Sequence, residues 1–292
     1  MSGMITVFRK EMADHLTSWR FIILLAIVFT VGLVAIYLDA QFIIMAITDT
    51  RFVFLKLFTT AGQFLPLFTF FITFFMPIVG IVLGFDTINS EKSNGTMSRL
   101  ISQPIYRDAV INGKFLAGIT IMSIMLVSMV LLVAGVGLRM IGVPPSSEEI
   151  IRIISFLAAS ILYGAFWLGL ATLFSILFRR VTTSALASIA LWMLCSFLFI
   201  VPFIASFGQA GFVVMQISPI TIFQEVITIL LEPGARSLGQ IVQSGGVVPN
   251  SALSLDQSLL IVWPHLVSLV ALTAICFAVS YIKFMREEIR ST

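Results

Sequence analysis

The segment "SEKSNGTMSRLISQPIYRDAVINGKF" (residues 90–115) is a long polar interruption in a chain that is otherwise largely apolar. It carries four basic residues, a Gly-Thr step and a proline, and apolar runs flank it on both sides. Of the 292 residues, 59% are hydrophobic and only 11% are charged. Soluble domains average about a quarter charged residues. The composition therefore predicts a chain that faces lipid, in which this segment connects two membrane-spanning helices.

Uncharged gaps between ionisable residues predict where the chain crosses the membrane. A charge at the centre of a membrane helix costs roughly 2.5–3.5 kcal/mol, so crossings are expected between charges. Each gap can hold the ~20 residues that cross the hydrocarbon core as a helix. We therefore expect an all-α integral membrane protein, one transmembrane domain over residues 1–292. The six spans are predicted at about 20–38, 64–85, 115–138, 153–178, 183–206 and 258–282.

Basic residues predict the orientation. With both termini in the cytoplasm, twelve of the 17 Lys and Arg residues lie on the inner side and five on the outer side, as the positive-inside rule requires. A seventh span would place the basic C-terminal segment outside. The segment 86–114 is then a cytoplasmic loop, and 207–257 is an outer segment.

The outer segment contains "FVVMQISPITIFQEVITILL" (residues 212–231), which has the length of a span but is interrupted by polar residues and a proline. That proline, Pro219, suits the first position of a helix. Four apolar residues after it share one helical face: Ile220, Phe223, Ile227 and Leu230. We expect a short amphipathic helix in a re-entrant or surface-lying hairpin before the last span.

An apolar stripe runs along the N-terminal residues 1–19 and ends at Trp19. The other members of this stripe are Ile5, Phe8, Met12 and Leu16. Such a stripe, with a Trp at headgroup level, is typical of an amphipathic helix lying in the inner membrane interface. The alternative is a solvated helical extension of the first span.

Several kinds of chemistry have no matching motif in the sequence. No G-x-x-x-x-G-K-[ST] motif occurs, so we expect no ATP hydrolysis by this chain alone and no enzymatic activity. His15 and His265 are far apart in sequence, and Cys195 and Cys276 lie in apolar runs, so we expect no metal site and no bound cofactor. The net charge of +3 is small and scattered, which gives no support to a nucleic-acid partner.

The polar segment itself has helical signals. Thr96 is a suitable N-cap for a short helix that ends before Pro104. A second helix is expected to begin near Arg107 and to run through Lys114 into the third span. A short cytoplasmic helix of this kind is either a docking element or part of an ordinary solvated loop. As a docking element it needs a stiff route into the membrane, which the second and third spans would supply.

The order of residues in this loop resembles the cytoplasmic loop of type-2 ABC exporter permeases, which are the membrane subunits of exporters whose ATPase is a separate chain. The matching positions are Glu91, Gly95-Thr96, Leu100, Pro104, Arg107 and Gly113-Lys114. In that family the loop carries a coupling helix that docks on the ATP-binding subunit. The resemblance implies that docking involves Glu91, Gly95, Thr96, Arg99, Leu100 and Arg107.

The resemblance also implies the function and the partners. It implies a permease subunit in the plasma membrane that works with a second copy of itself or a paralogue. ATP and Mg²⁺ are then bound by the partner ATP-binding subunit. The alternative is a membrane scaffold or sensor that transports nothing and recruits a soluble ATPase or another partner through the same loop.

Some residues within the spans allow two interpretations each. Phe68, Phe71 and Phe75 share one face of the second span with Phe64, where they either border a path for an apolar substrate or pack against lipid. His265 either contacts substrate or is satisfied by a neighbouring carbonyl. A third set, the stripe of Met122, Met125 and Met129, either binds copper(I) or fills gaps in the packing.

Two glycines in the second span predict a helix contact. Gly80 and Gly84 form a G-x-x-x-G motif, which lets another helix approach closely because neither position carries a Cβ.

Overall fold

The computed structural model describes residues 2–46, 52–59, 67–95, 106–200, 218–233 and 253–286. Within these ranges the regular elements are all helices, which agrees with the predicted all-α class. In chain order they are α1 (Ser2–Leu16), α2 (Trp19–Ala46), α3 (Lys56–Thr59), α4 (Leu67–Gly84), α5 (Asn89–Ser93), α6 (Arg107–Ile141), α7 (Ser147–Leu177), α8 (Val181–Ile200), α9 (Pro219–Leu231) and α10 (Leu255–Arg286).

Five segments of the described chain are helical, long and apolar enough to cross a membrane. They are Trp19–Leu38, Phe68–Ser93, Arg107–Ile141, Ser147–Leu177 and Leu255–Arg286. The predicted span at 183–206 overlaps α8, whose apolar stretch over Val181–Phe197 is shorter than the other five. The structure therefore supports a multi-pass membrane protein, while the count of six spans stays a prediction.

The N-terminal helix is separated from the first long helix by a turn at Thr17 and Ser18. The Ser18 amide donates to the His15 carbonyl, and the Ser18 hydroxyl accepts from the Phe21 amide, so Ser18 closes one helix and caps the next. The N-terminal residues thus form a helix of their own, separated from α2 by this turn. Trp19 is 77% exposed, as an interfacial anchor requires, but the position of α1 at a membrane surface stays a prediction.

One face of α1 packs against α6 and not against lipid. Val7 and Glu11 are buried on this face, and a Cβ at Gly113 of α6 would lie 3.0 Å from the Val7 Cβ. Glycine at position 113 thus allows the two helices to approach closely. This contact fixes α1 beside the start of α6.

The predicted close approach at Gly80 and Gly84 is confirmed, and the partner helix is α7. A Cβ at Gly80 would lie 2.8 Å from the Gly164 carbonyl oxygen, and one at Gly84 would lie 2.8 Å from the Leu168 carbonyl oxygen. No larger residue fits without moving backbone, so α4 and α7 pack as a close pair.

The helix α7 lies at the centre of the helix bundle and packs against α4, α6, α8, α9 and α10. It begins with a capping box in which Ser146 and Glu149 satisfy each other's backbone N–H groups. Phe156, Tyr163 and Trp167 are fully buried along its length. It is therefore the helix to which most others are attached.

A helix starting at Pro219 was predicted, and α9 confirms it, with Pro219 in its first turn. All four residues of its predicted apolar face are buried. Four apolar residues beyond that face are buried as well, namely Ile222, Val226, Ile229 and Leu231. The helix is thus packed among other helices on more than one face. Its re-entrant placement stays a prediction, and the remainder of the outer segment, at 207–217 and 234–252, lies outside the described residues.

Candidate coupling site

The base of the loop that was predicted to be cytoplasmic is anchored on the last turn of α7. The Ser175 hydroxyl oxygen accepts from the backbone N–H groups of Ile88 (2.9 Å) and Asn89 (3.1 Å), and the same hydroxyl donates to the Asn89 side-chain oxygen (2.9 Å). The Asn89 amide nitrogen in turn donates to the Phe178 carbonyl (3.2 Å). A buried serine therefore fixes the first turn of α5.

An ion cluster joins α1, α5 and α6 next to this anchor. We name Lys10, Glu11, Glu91 and Lys114 the inner ion cluster. The Lys114 side chain is 4% exposed, and its Nζ lies 2.8 Å from Oε1 of Glu11 and 2.8 Å from Oε1 of Glu91. Lys10 Nζ lies 3.4 Å from Glu11 Oε1 and 3.9 Å from Glu91 Oε1. Two carboxylates thus share two ammonium groups, which offsets the cost of burying them.

Two members of this cluster, Glu11 and Lys10, have pKa values shifted toward their charged forms. Burial alone would raise the pKa of Glu11, but the nearby ammonium groups of Lys114 and Lys10 bring its pKa below the ordinary value. Burial would lower the pKa of Lys10, but the carboxylates of Glu11 and Glu91 raise its pKa overall. The neighbouring charges therefore favour the charged forms of Glu11 and Lys10.

A further ion pair connects α2 to the same region. Arg20 at the start of α2 binds the carboxylate of Asp86, which follows α4. The Arg20 guanidinium also lies 5.5 Å from the centroid of the Phe85 ring. Helices α1, α2, α6 and α7 are thus all tied to the entry of the loop.

The described residues that were predicted to dock on a partner occupy different places. Glu91 is buried in the inner ion cluster, so it holds the base of the loop. Gly95 follows α5 in an exposed turn with φ +68°, a left-handed conformation that favours glycine. Arg107 begins α6, as predicted for the second helix of the loop.

The other predicted docking residues are Thr96, Arg99 and Leu100, and they lie outside the described residues. The short helix predicted between Thr96 and Pro104 lies there too. The docking role of these three residues and the short helix therefore stay predictions.

Of the aromatic residues predicted along a substrate path, Phe68 lies in the core. Its ring centroid is 5.0 Å from that of Phe58 and 6.1 Å from that of Phe156. It therefore packs between other helices and does not border an open space.

The other two aromatic residues of that set, Phe71 and Phe75, stack on each other with ring centroids 4.7 Å apart. Both line an apolar cavity of about 720 Å³ between α2, α4 and α8. The other walls of this cavity include Val34, Trp192 and Phe197. Two of the predicted path residues, Phe71 and Phe75, thus face this cavity.

His265 of α10 is paired with a carboxylate, a partner that the sequence did not predict. Its Nε2 lies 2.7 Å from Oε2 of Glu225 on α9. The pair links α9 to α10 and is not among the residues that line the apolar cavity. No residue pattern joins positions 225 and 265, so only the packing of the two helices reveals it.

The methionine stripe is a packing element in this structure. Met122, Met125 and Met129 are buried and line a gap of about 10 Å³, together with Phe75 and Met76. In the part of the chain that the structure describes, no group of three or more His, Cys, Asp or Glu residues is arranged to hold a metal ion. The two cysteines, Cys195 and Cys276, are both free thiols.

Sequence reasoning missed a second polar centre, at the opposite end of α7. Arg152, counted only as an outer-side charge, is fully buried. Its guanidinium donates to Glu148 Oε1 (2.8 Å), Ser258 Oγ (3.1 Å) and two backbone carbonyls, those of Leu230 (3.1 Å) and Leu253 (2.8 Å). The serine and glutamate of the capping box at 146–149 were the available signal, because they place Arg152 inside a helix.

Together these features define a multi-pass helical membrane protein whose polar loop is anchored to several of its helices. A family model described as "ABC-2 family transporter protein" matches residues 5–289, and the chain belongs to this family. Its members are permease components of ABC transporters, and ATP hydrolysis lies in separate subunits.

The chain is also similar to a curated relative, the probable ABC transporter permease protein NosY of Pseudomonas aeruginosa. The two are 27% identical over 130 residues. This match covers 44% of the present chain and 46% of the relative, so it spans about half the length of each.

Proposed function

We propose that this chain is the membrane-spanning subunit of an ABC exporter, and that the segment 86–114 couples it to a separate ATP-binding subunit. The family supports association with such a subunit. The observation that carries the coupling proposal is the anchoring of the loop by Ser175 and by the inner ion cluster. A loop fixed in this way transmits a displacement to the helices, whereas a free loop would bend.

Within this proposal the loop residues have two kinds of role. Glu91 holds the base of the loop through Lys114, whose Nζ lies 2.8 Å from its carboxylate. The surface that contacts the ATP-binding subunit is formed by the remaining predicted docking residues. These are Thr96, Arg99 and Leu100, with Gly95 and Arg107 at the two ends of that surface. ATP and Mg²⁺ are bound by the partner subunit.

The proposed transport unit contains two copies of the chain, or one copy and a paralogue, in the plasma membrane. The apolar cavity beside Phe71 and Phe75 is the part of the described chain best suited to border the translocation path. Its size, about 720 Å³, lies in the range of small-molecule sites. ATP-driven closure of the partner subunits would move the two loops and so open or close this path.

The test is to change the proposed docking surface and leave the anchors intact. Arg99→Glu combined with Leu100→Glu should abolish co-purification of the chain with its ATP-binding subunit. Lys283→Glu, at an exposed position near the end of α10, is the matched control and should assemble normally. Normal assembly and ATP-driven transport by the Arg99/Leu100 variant would contradict the proposal.

A scaffold or sensor role would give a different result in the same preparation. A reconstituted complex that hydrolyses ATP but moves nothing across the vesicle membrane would favour that alternative.

A further inference from the structure

We propose that α7 is the helix that carries motion from the coupling loop to the outer segment, with Ser175 and Arg152 as the positioning residues at its two ends. This inference rests on the proposed function and identifies the residues that make the coupling work. It differs from the expectation that the helices flanking the loop in sequence, α4 and α6, provide the route by themselves.

At the inner end, the connection between the loop and α7 is a set of hydrogen bonds of 2.9–3.1 Å among buried groups. Ser175 is fully buried and binds the Ile88 and Asn89 backbone together with the Asn89 side chain. Because water cannot replace these bonds, a displacement of α5 must move the end of α7 with it.

At the outer end, Arg152 clamps two separate elements onto the first turns of α7. It binds the Leu230 carbonyl at the end of α9, and the Leu253 carbonyl and Ser258 hydroxyl around the start of α10. These hydrogen bonds are charge-assisted, which makes them stronger than bonds between neutral groups. A single buried guanidinium therefore binds both α9 and α10 to this end of α7, in addition to the packing of these helices along α7.

A third outer element is attached to α7 through a neighbouring residue. Glu149 accepts from the backbone N–H groups of Phe54 (3.0 Å) and Leu55 (3.3 Å), which precede α3. The carboxylate of Glu149 thus also fixes the segment before α3 to the first turn of α7.

Between these ends α7 is suited to act as a rigid element. It has 31 residues, which corresponds to a length of about 46 Å, and it contains no proline. The close contacts of Gly80 and Gly84 attach α4 to it along one side. Coupling between distant sites is carried by such a contiguous element with fixed contacts at both ends.

Another polar connection reaches α9 from a helix next to the loop. The Gln224 side chain donates to the Thr73 hydroxyl of α4. Thr73 therefore marks a competing route, and a Thr73→Val variant tests it separately from the clamp at Arg152.

The experiment measures a distance that reports on the outer end. Spin labels are placed at Tyr37 of α2 and Asp256 of α10, both exposed, in a chain whose two native cysteines are replaced by serine. The labelled chain is assembled with its ATP-binding subunit, diluted with unlabelled chain and reconstituted in nanodiscs. Electron–electron resonance then gives the distance without nucleotide and after trapping with ATP and vanadate.

The wild-type complex should show a nucleotide-dependent change in this distance. Ser175→Ala and Arg152→Met should each reduce the change by at least half while ATP hydrolysis continues. Arg152→Lys, which keeps the charge but has fewer donors, should recover part of it. Two controls should leave it unchanged: Thr73→Val, and Ser155→Ala, whose hydroxyl donates to the Ile151 carbonyl of its own helix.

The outcomes separate this inference from the proposed function. A wild-type chain that never assembles with an ATP-binding subunit would overturn the proposed function. If the label distance in the wild-type complex does not change with nucleotide, the inference about α7 is overturned while the proposed function stands. The same holds if Ser175→Ala shows the full wild-type change in distance. The serine variant keeps the test decisive even if Arg152→Met fails to fold.

Discussion

Replacement of Lys114 by methionine tests the inner ion cluster directly. The Lys114 ammonium lies 2.8 Å from one oxygen of Glu11 and 2.8 Å from one oxygen of Glu91. Methionine keeps most of the side-chain length and removes the charge, so two carboxylates that shared an ammonium then face each other. The anchoring of α5 to α1 and α6 should weaken.

The expected loss of stability depends on the burial of Lys114 and on the Lys10 ammonium that remains beside the two carboxylates. Removing one partner of a buried ion pair costs about 3–5 kcal/mol. Lys10 still lies 3.4 Å from Glu11 and 3.9 Å from Glu91, which offsets part of that cost. We expect a loss of about 2–3 kcal/mol, corresponding to a thermal midpoint lower by roughly 3–5 °C for a chain of 292 residues.

The assay is thermal unfolding of the purified chain in detergent, followed by tryptophan fluorescence. Lys283→Met, the same change at an exposed lysine, is the control and should shift the midpoint little. In a background carrying Glu11→Gln and Glu91→Gln, the Lys114→Met change should cost less than about 1 kcal/mol, because no two carboxylates are left facing each other.

The pH dependence has a defined sign. The pKa of Glu11 is lowered from 4.5 in the folded protein, so its stabilising contribution is present above pH 4.5 and is lost as the pH falls through the lower folded value. The difference between the wild type and Lys114→Met should therefore shrink in acid. An equal midpoint drop in the wild-type and the doubly neutralised background would refute the reasoning.

Three further predictions address other parts of the molecule. Gly80→Ala should lower the thermal midpoint by an amount equivalent to about 1–3 kcal/mol, because the added Cβ would clash with the backbone of α7. Gly135→Ala is the control and should leave the midpoint unchanged, because no atom lies within 4 Å of its added Cβ. Equal effects of the two changes would contradict the α4–α7 contact. Burial raises the pKa of Glu232 from 4.5 to about 7, so stability falls as the pH rises between these values. Glu232→Gln should therefore raise the midpoint at pH 8 and much less at pH 5, and a pH-independent effect would argue against this. Asn94→Cys, in a chain without its native cysteines, should react with a membrane-impermeant thiol reagent only after the cells are opened, and labelling of intact cells would place the loop on the wrong side.

Local patterns in the sequence predicted several elements correctly. Apolar runs between charges located the long helices, and Pro219 and Arg107 marked the starts of α9 and α6. The spacing of Gly80 and Gly84 predicted a close helix contact, because a missing Cβ has the same consequence wherever the partner lies. These features depend on residues that are near one another in the chain.

The partners of the buried charges could not be predicted in the same way. Counting charges treats each ionisable residue as facing water, which is wrong for Lys114 and for Arg152. Lys114 binds Glu11, which is 103 positions away in the sequence, and Arg152 binds the carbonyl of Leu253, which is 101 positions away. No periodic pattern links residues so far apart, because their proximity depends on how the helices pack.

The sequence by itself thus determined that this chain belongs in a membrane and where its helices and its polar loop lie, since the cost of burying charge acts residue by residue. The tertiary structure alone decided which helices hold that loop and which hold the outer segment. Those contacts depend on side chains from distant helices meeting at defined distances, and α7 is the helix on which both sets converge.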